Sequence, residues 1–271
     1  MPLLWAAKCG DATVLREPFL VEGVNVRTWT LEEAAKGICD ELRDETSFSV
    51  FTLNLDHVVK LRSSETFRTA YDRARIVLAD GFPIVLAGRL QGREISRTPG
   101  SDLIEPLCAE ASRRGISVIF FGSTFDTLIS SARQLKARHP DLEIAGVYAP
   151  PNDFDVLSDA AKEGIEFINQ SGAGICFLAL GAPKQEILAD RCAGETSGTS
   201  FICIGAGLDF LSGRQTRAPK VMQAMGCEWL WRMALNPRRL ARRYLDCILV
   251  FPGIVLDGLA KRRNGRVVPA T

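Results

Sequence analysis

The chain has 271 residues, 46% of them hydrophobic, enough to bury a full core as one large domain or as one domain with an appendage. The formal net charge is only +1, but it is segregated: Arg214 to Arg266 holds 12 basic and three acidic side chains, net +9, leaving 21 basic against 29 acidic in residues 1–213. Eight cysteines form no CxxC pair and no metal-ligand spacing. Several sit in apolar runs, so they read as small core side chains in a reducing compartment rather than as disulfides or metal ligands. The opening MPLLWAAKCGD has an apolar run of five residues (Leu3–Ala7) and no basic n-region, so no signal peptide is expected.

Apolar β-rich runs alternate with amphipathic helical stretches along the chain. A first strand is expected at 19–26 (FLVEGVNV). Thr30 and Glu33 form a capping box, and Leu31, Ala34, Ala35, Ile38, Cys39 and Leu42 recur at helical spacing behind it. Strands follow at 48–54, 75–80, 116–122, 142–148, 174–181 and 200–207, with helices at about 64–74, 101–114, 124–138, 157–169 and 183–193. The pattern predicts an α/β fold, a Rossmann-like, mostly parallel sheet flanked by helices, in residues 1–213. Residues 214–271 are expected to form a basic helical C-terminal appendage. There Asn236 and Pro237 read as a cap and first helical residue. Arg239, Arg242 and Arg243 fall on one helix face that suits a diphosphate. The apolar run from Cys247 to Leu256 is ten residues long, too short to span a bilayer and long enough to lie in its surface.

Ligands in open α/β sheets bind beyond the carboxyl ends of the strands, and several of these ends carry polar groups. They are Thr52, Asn54 and Asp56; Asp80-Gly81; Gly122-Ser123-Thr124; and Gly181 to Glu186. Asp80, behind an apolar run and before a glycine, reads either as a general base or as a helix N-cap. Gly181 to Glu186 is a strand-to-helix turn. Its backbone N–H groups, with Gln185 and Glu186, suit an anion or sugar hydroxyls; a plain connection is the alternative. Gly205-Ala206-Gly207 is half of a dinucleotide fingerprint, with Phe210 where the third glycine belongs, so it supports NAD weakly. Asp153-Phe154-Asp155 has the DxD form of metal-dependent transferases, but its loop setting favours chance spacing. Of the two histidines, His57 neighbours the Asp56 turn and His139 reads as solvated.

With these pieces in order, the chain resembles the WecG/TagA/CpsF glycosyltransferases, glycosyltransferase family 26, over about residues 20–250. The resemblance rests on T-L-N (52–54), A-D-G (79–81), R-T-P-G-S-D (97–102), G-A-P-K-Q-E (181–186), G-A-G-L-D-F (205–210), G-R-Q-T-R-A-P (213–219), and E-W-L-W-R (228–232) leading to N-P-R-R-L-A-R-R-Y (236–244). It implies transfer of a sugar, with inversion, from a UDP-sugar to a polyprenyl-diphosphate-linked saccharide at the cytoplasmic membrane face. Asp80 matches the family's proposed catalytic base, with Thr52, Asn54 and Gln185 in its pocket. Asp209 and Ile204 fall at the nucleotide, and the matched motifs add Arg97, Gly181, Glu186, Gly205 and Arg217 to the substrate side. The appendage matches the family's membrane-targeting element, with Arg232, Arg239 and Arg242 completing the site. Cys227 and Asn236 depart mildly from the family pattern, and the loop at 153–155 lacks a histidine-containing segment common in relatives.

The expected partners are therefore a UDP-sugar, a lipid-linked acceptor and the membrane surface, with no nucleic acid, no metal and no cofactor. The tail arginines take the charge of the departing diphosphate. Trp229 and Trp231 suit a subunit contact in a homo-oligomer as well as a membrane. The rival readings are a non-catalytic peripheral membrane protein and a nucleotide-dependent oxidoreductase.

Overall fold

The computed structural model describes residues 17–42, 45–151, 153–219, 221–222, 228–235 and 237–263. Its centre is a six-stranded sheet in the order β4-β3-β8-β7-β5-β6, every pairing parallel. The strands are β3 (Phe48–Leu53), β4 (Ile76–Ala79), β5 (Val118–Gly122), β6 (Ile144–Tyr148), β7 (Ile175–Ala179) and β8 (Ser200–Cys203). Because side chains alternate across a strand, each face of the sheet builds its own core. Phe51, Leu53, Phe121 and Leu178 enter one apolar cluster, and Val50, Phe120, Phe177 and Ile202 the other.

Helices cover both faces. α1 (Leu31–Glu41), α5 (Gly100–Arg114) and α6 (Phe125–Arg138) lie on one; α2 (Leu55–Ser63), α3 (Glu65–Arg73), α4 (Phe82–Leu90), α7 (Ala160–Ser171) and α8 (Lys184–Glu195) lie on the other. This is the doubly wound, Rossmann-like arrangement that the alternation predicts. The capping box before α1 forms as read: Glu33 N donates to Thr30 Oγ1, and Thr30 N to the Glu33 carboxylate. The six cysteines among the described residues are all buried and free.

The run 19–26 is not one strand. It folds as a hairpin, β1 (Phe19–Val21) against β2 (Val24–Val26), because Glu22 and Gly23 both take positive φ, 53° and 81°. That is the I′ pattern of a two-residue turn. α2 and α4 are additional to the predicted helices. Asn54 starts α2 by accepting from His57 N, and Gly81 starts α4 with φ 83°.

Beyond β8 the chain makes a short helix α9 (Gly207–Leu211), then α10 (Glu228–Leu235) and the long α11 (Pro237–Arg263). α11 packs on α2 and α4 through buried Cys247 and Ile254, and through Gly258, where an added Cβ would stand 3.2 Å from Leu90 Cβ. Its outward side exposes Leu245, Ile248, Leu249, Leu256 and Leu259. Among the described residues no helix is long and apolar enough to cross a membrane.

Candidate active site

Four neighbouring strands, β4, β3, β8 and β7, end on one side of the sheet and deliver four of the sequence motifs to a common crevice. At the β4 end, Asp80 N extends the ladder to Leu53 O (2.8 Å), which fixes the aspartate beside the end of β3. Its carboxylate faces Asn54, whose Nδ2 donates to Asp80 Oδ2 at 3.4 Å while Asn54 Oδ1 caps α2. The N-cap residue of α4 is Gly81, the residue after Asp80. Positive φ at Gly81 turns the chain sharply away from the carboxylate.

Beneath this pair lies a buried polar layer. Tyr71 Oη donates to Thr52 O (3.2 Å) and lies 2.7 Å from His57 Nδ1. Burial pushes His57 down to about 3, so the ring is neutral. Thr52 itself is buried, at the end of β3. Asp56, also buried, is held by Lys60 and by Arg243 of α11, whose Nε lies 2.7 Å from Asp56 Oδ1. Burial alone would raise this carboxyl, but the two cations hold it below the ordinary carboxylate value.

The segment 97–102, a loop that leads into α5, crosses the strand ends. Thr98 N donates to Ala79 O (2.7 Å) and Thr98 Oγ1 to Trp29 O (2.7 Å). At Gly100 a Cβ would come within 2.5 Å of Cys203 O, so only glycine lets the start of α5 lie this close to β8. Arg97 and Arg217, from motifs 120 residues apart, meet here across two shared carboxylates. Arg97 reaches Glu228 (3.3 Å) and Asp102 (3.6 Å); Arg217 reaches Asp102 (2.5 Å) and Glu228 (3.7 Å). Glu228 opens α10, so this network ties the tail to the core.

On the β7 and β8 side the main chain dominates. Gln185 Oε1 accepts from Gly181 N (3.2 Å) and Gly205 N (3.0 Å), and Gln185 Nε2 donates to Glu186 Oε1 (2.8 Å). The Gly181 N–H is thereby closed rather than left open to an anion. Glu186 is fully buried beneath the turn, and burial lifts its carboxyl to about 7. Ile204 is buried at the end of β8. Asp209 in α9 accepts from Ser123 Oγ (3.2 Å) and Gln215 Nε2 (2.9 Å), which joins the β5 end to the same crevice.

The remaining candidates fall outside this constellation. At Gly207 an added Cβ would meet Ile104 Cδ1 at 2.5 Å, so this glycine serves packing on α5 rather than a dinucleotide turn. Asp155 caps its own loop by accepting from Leu157 N, and Phe154 is buried in the core. His139 is not simply solvated: its Nε2 lies 3.0 Å from Glu105. Arg242 is exposed on α11. The backbones of Arg232 and Arg239 lie in α10 and α11, while their side chains, that of Trp229, and the whole of Cys227 and Asn236 fall outside the described residues. Trp231 Nε1 donates to Thr216 O (3.3 Å), a bond within the fold.

Sequence reasoning placed Arg243 on the arginine face of the tail but not in the site. Its signal is helical phase: Arg243, Cys247, Ile254, Gly258 and Lys261 share the face that α11 turns to the core, and Arg242 lies one residue off it. A model of the glycosyl transferase WecG/TagA/CpsF family matches residues 19–265, which include every element that builds this crevice. The chain belongs to the WecG/TagA/CpsF family of glycosyltransferases, enzymes of cell-wall and polysaccharide synthesis that use a sugar-nucleotide donor and a lipid-linked acceptor.

Proposed function

We propose that the protein is an inverting hexosyltransferase. It moves N-acetylmannosamine, its uronic acid, or a glucose or glucuronic acid unit from a UDP-sugar to a polyprenyl-diphosphate-linked saccharide. The observation that carries this reading is Asp80: a carboxylate at a strand end, in contact with Asn54, in a chain of this family. Asp80 takes the proton of the acceptor hydroxyl as that oxygen bonds to the anomeric carbon, and the bond from that carbon to the UDP oxygen breaks on the opposite face. The proton then passes to solvent and UDP leaves, so one carboxylate suffices and no covalent enzyme intermediate forms.

Negative charge grows on the departing diphosphate, and preorganised cations there are worth about 2–4 kcal/mol. We assign them to Arg97 and Arg217, with Arg232, Arg239 and Arg242 of the tail, and expect no metal requirement. Gly181, Ile204, Gly205 and Asp209 form the donor side. Residues 1–213 supply the base and the donor pocket, and 214–271 complete the site with their arginines and attach it to the inner face of the cell membrane. This attachment is supported by the exposed apolar side of α11, bounded by Arg238 and Arg242 at one end and Arg262 and Arg263 at the other.

The test is UDP release by purified protein with detergent-dispersed polyprenyl-diphosphate-GlcNAc, across a panel of UDP-sugars, with and without EDTA. Release that requires the acceptor and survives EDTA is expected. Abolition by EDTA would overturn the metal-independent mechanism, and no release with any donor would overturn the substrate assignment.

A further inference from the structure

The carboxamide of Gln185 is almost wholly committed. An amide oxygen offers two lone pairs, and here both are used, by Gly181 N–H and Gly205 N–H. Gly181 follows β7 and Gly205 follows β8, adjacent parallel strands, so one side chain fastens two strand-end turns where the ladder has stopped. The clip works in only one amide orientation, because the flipped group would set its NH2 against two N–H donors. What excludes the flip is Glu186, an acceptor on the NH2 side at 2.8 Å.

Glu186 is 0% exposed and Gln185 4%, and Glu186 Oε2 has no hydrogen-bond partner among the described residues. A carboxyl buried at this cost has no packing role that an apolar side chain of its size would not fill better. The chemistry assigned to Asp80 makes no use of it. We propose that Glu186 is a positioning residue: by accepting from Gln185 Nε2 it locks the amide that joins the Gly181 and Gly205 turns, and so shapes the donor side of the crevice. The last step rests on the UDP-sugar reading; the lock itself does not.

The experiment uses the full chain labelled with 15N-glycine, reading amide hydrogen exchange at Gly181 and Gly205 and, by calorimetry, affinity for UDP. In Glu186→Met both glycines should exchange about tenfold faster, and UDP should bind about tenfold more weakly. In Glu186→Gln, which still offers an acceptor oxygen, both readouts should stay within about twofold of wild type. Unchanged exchange in folded Glu186→Met, or equal acceleration in Glu186→Gln, would overturn the lock. Faster exchange with undiminished UDP affinity would overturn its connection to the donor. Wild type that fails to bind UDP, with the glycines responding as expected, would uphold the lock and sink the UDP-sugar reading instead.

A measurement on the native protein covers a Glu186→Met that does not fold. The Gln185 side-chain amide signal should shift as Glu186 titrates near 7, among facing groups Asp56, Lys60, Tyr71 and Cys203, and be still in Glu186→Gln. A signal that is stationary in wild type would overturn the contact.

Discussion

The two halves of the crevice are built differently. At the ends of β3 and β4 the polar groups are side chains that meet one another, Asp80 with Asn54, and Asp56 with Arg243 from a helix almost two hundred residues downstream. At the ends of β7 and β8 they are main-chain N–H groups, gathered by a buried amide and a buried carboxyl. The first half presents reactive functional groups and the second a shape. Turnover should therefore be fragile to single substitutions on the β3/β4 side, whereas the β7/β8 side should respond in affinity and stability.

The largest effect is expected at Asp80. Asp80→Asn keeps the size and the contact with Asn54 but removes the base, so kcat should fall roughly 10²–10⁴-fold with UDP affinity unchanged. A near-normal rate would remove Asp80 from the mechanism and the contrast between the halves with it. Next comes the outward side of α11. Replacing Leu245, Ile248 and Leu249 (72% exposed) together with serine removes three exposed apolar side chains from the outward side of the helix. Binding to anionic vesicles should weaken about 10²–10³-fold at an unchanged melting temperature. Undiminished vesicle binding would move the attachment off this face, and a lower melting temperature would mean that the face is covered by another copy of the chain. Deleting the whole appendage is a poorer test, because it would also bare the α2 and α4 surfaces that Cys247 and Ile254 cover.

The parallel sheet was legible because its strands are short apolar runs between amphipathic helices, and Asp80, Asn54 and Thr52 because they stand where such runs stop. The hairpin at 19–26 was hidden by its own turn, since Glu22-Gly23 interrupts the apolar pattern without the usual Asn-Gly signal. α2 escaped because it buries Asp56 and His57 as well as Val58 and Leu61, which erases the polar–apolar period. α4 escaped for the opposite reason, being apolar nearly all round. The part played by Gln185 depends on Gly205 N, twenty residues away, and nothing local announces that bond. Arg243 is separated from Arg242 only by the phase of α11, which packing on α2 and α4 decides.

A smaller effect sharpens the β7/β8 side. Burial raises Glu186 from 4.5 to about 7, so the native state favours its protonated form. The stability tied to that proton is complete at low pH, declines as pH rises from about 4.5 to 7, and is gone above. Glu186→Gln should therefore match wild type at pH 4 and exceed it by on the order of 3 kcal/mol at pH 8 in urea unfolding. An equal difference at both pH values would mean that the carboxyl does not ionise in place.

The smallest effect tests the joint between tail and core, and its pH course has the opposite sense. Asp56 is buried, which by itself raises its carboxyl, yet Arg243 and Lys60 bring it below the ordinary value. A depressed carboxyl stabilises the fold above its unfolded value and loses that contribution as pH falls through the folded one. Arg243→Ala leaves Lys60 in place, so the loss at pH 7 should be about 1 kcal/mol, the range of a partly exposed ion pair. That loss should shrink toward zero as the medium is acidified through the carboxylate range, while Arg242→Ala, one residue along the same helix, should cost less at pH 7. If Arg242→Ala costs as much as Arg243→Ala, the tail is held by its overall charge and not by the Asp56 contact. The β3/β4 half would then be built from the core alone.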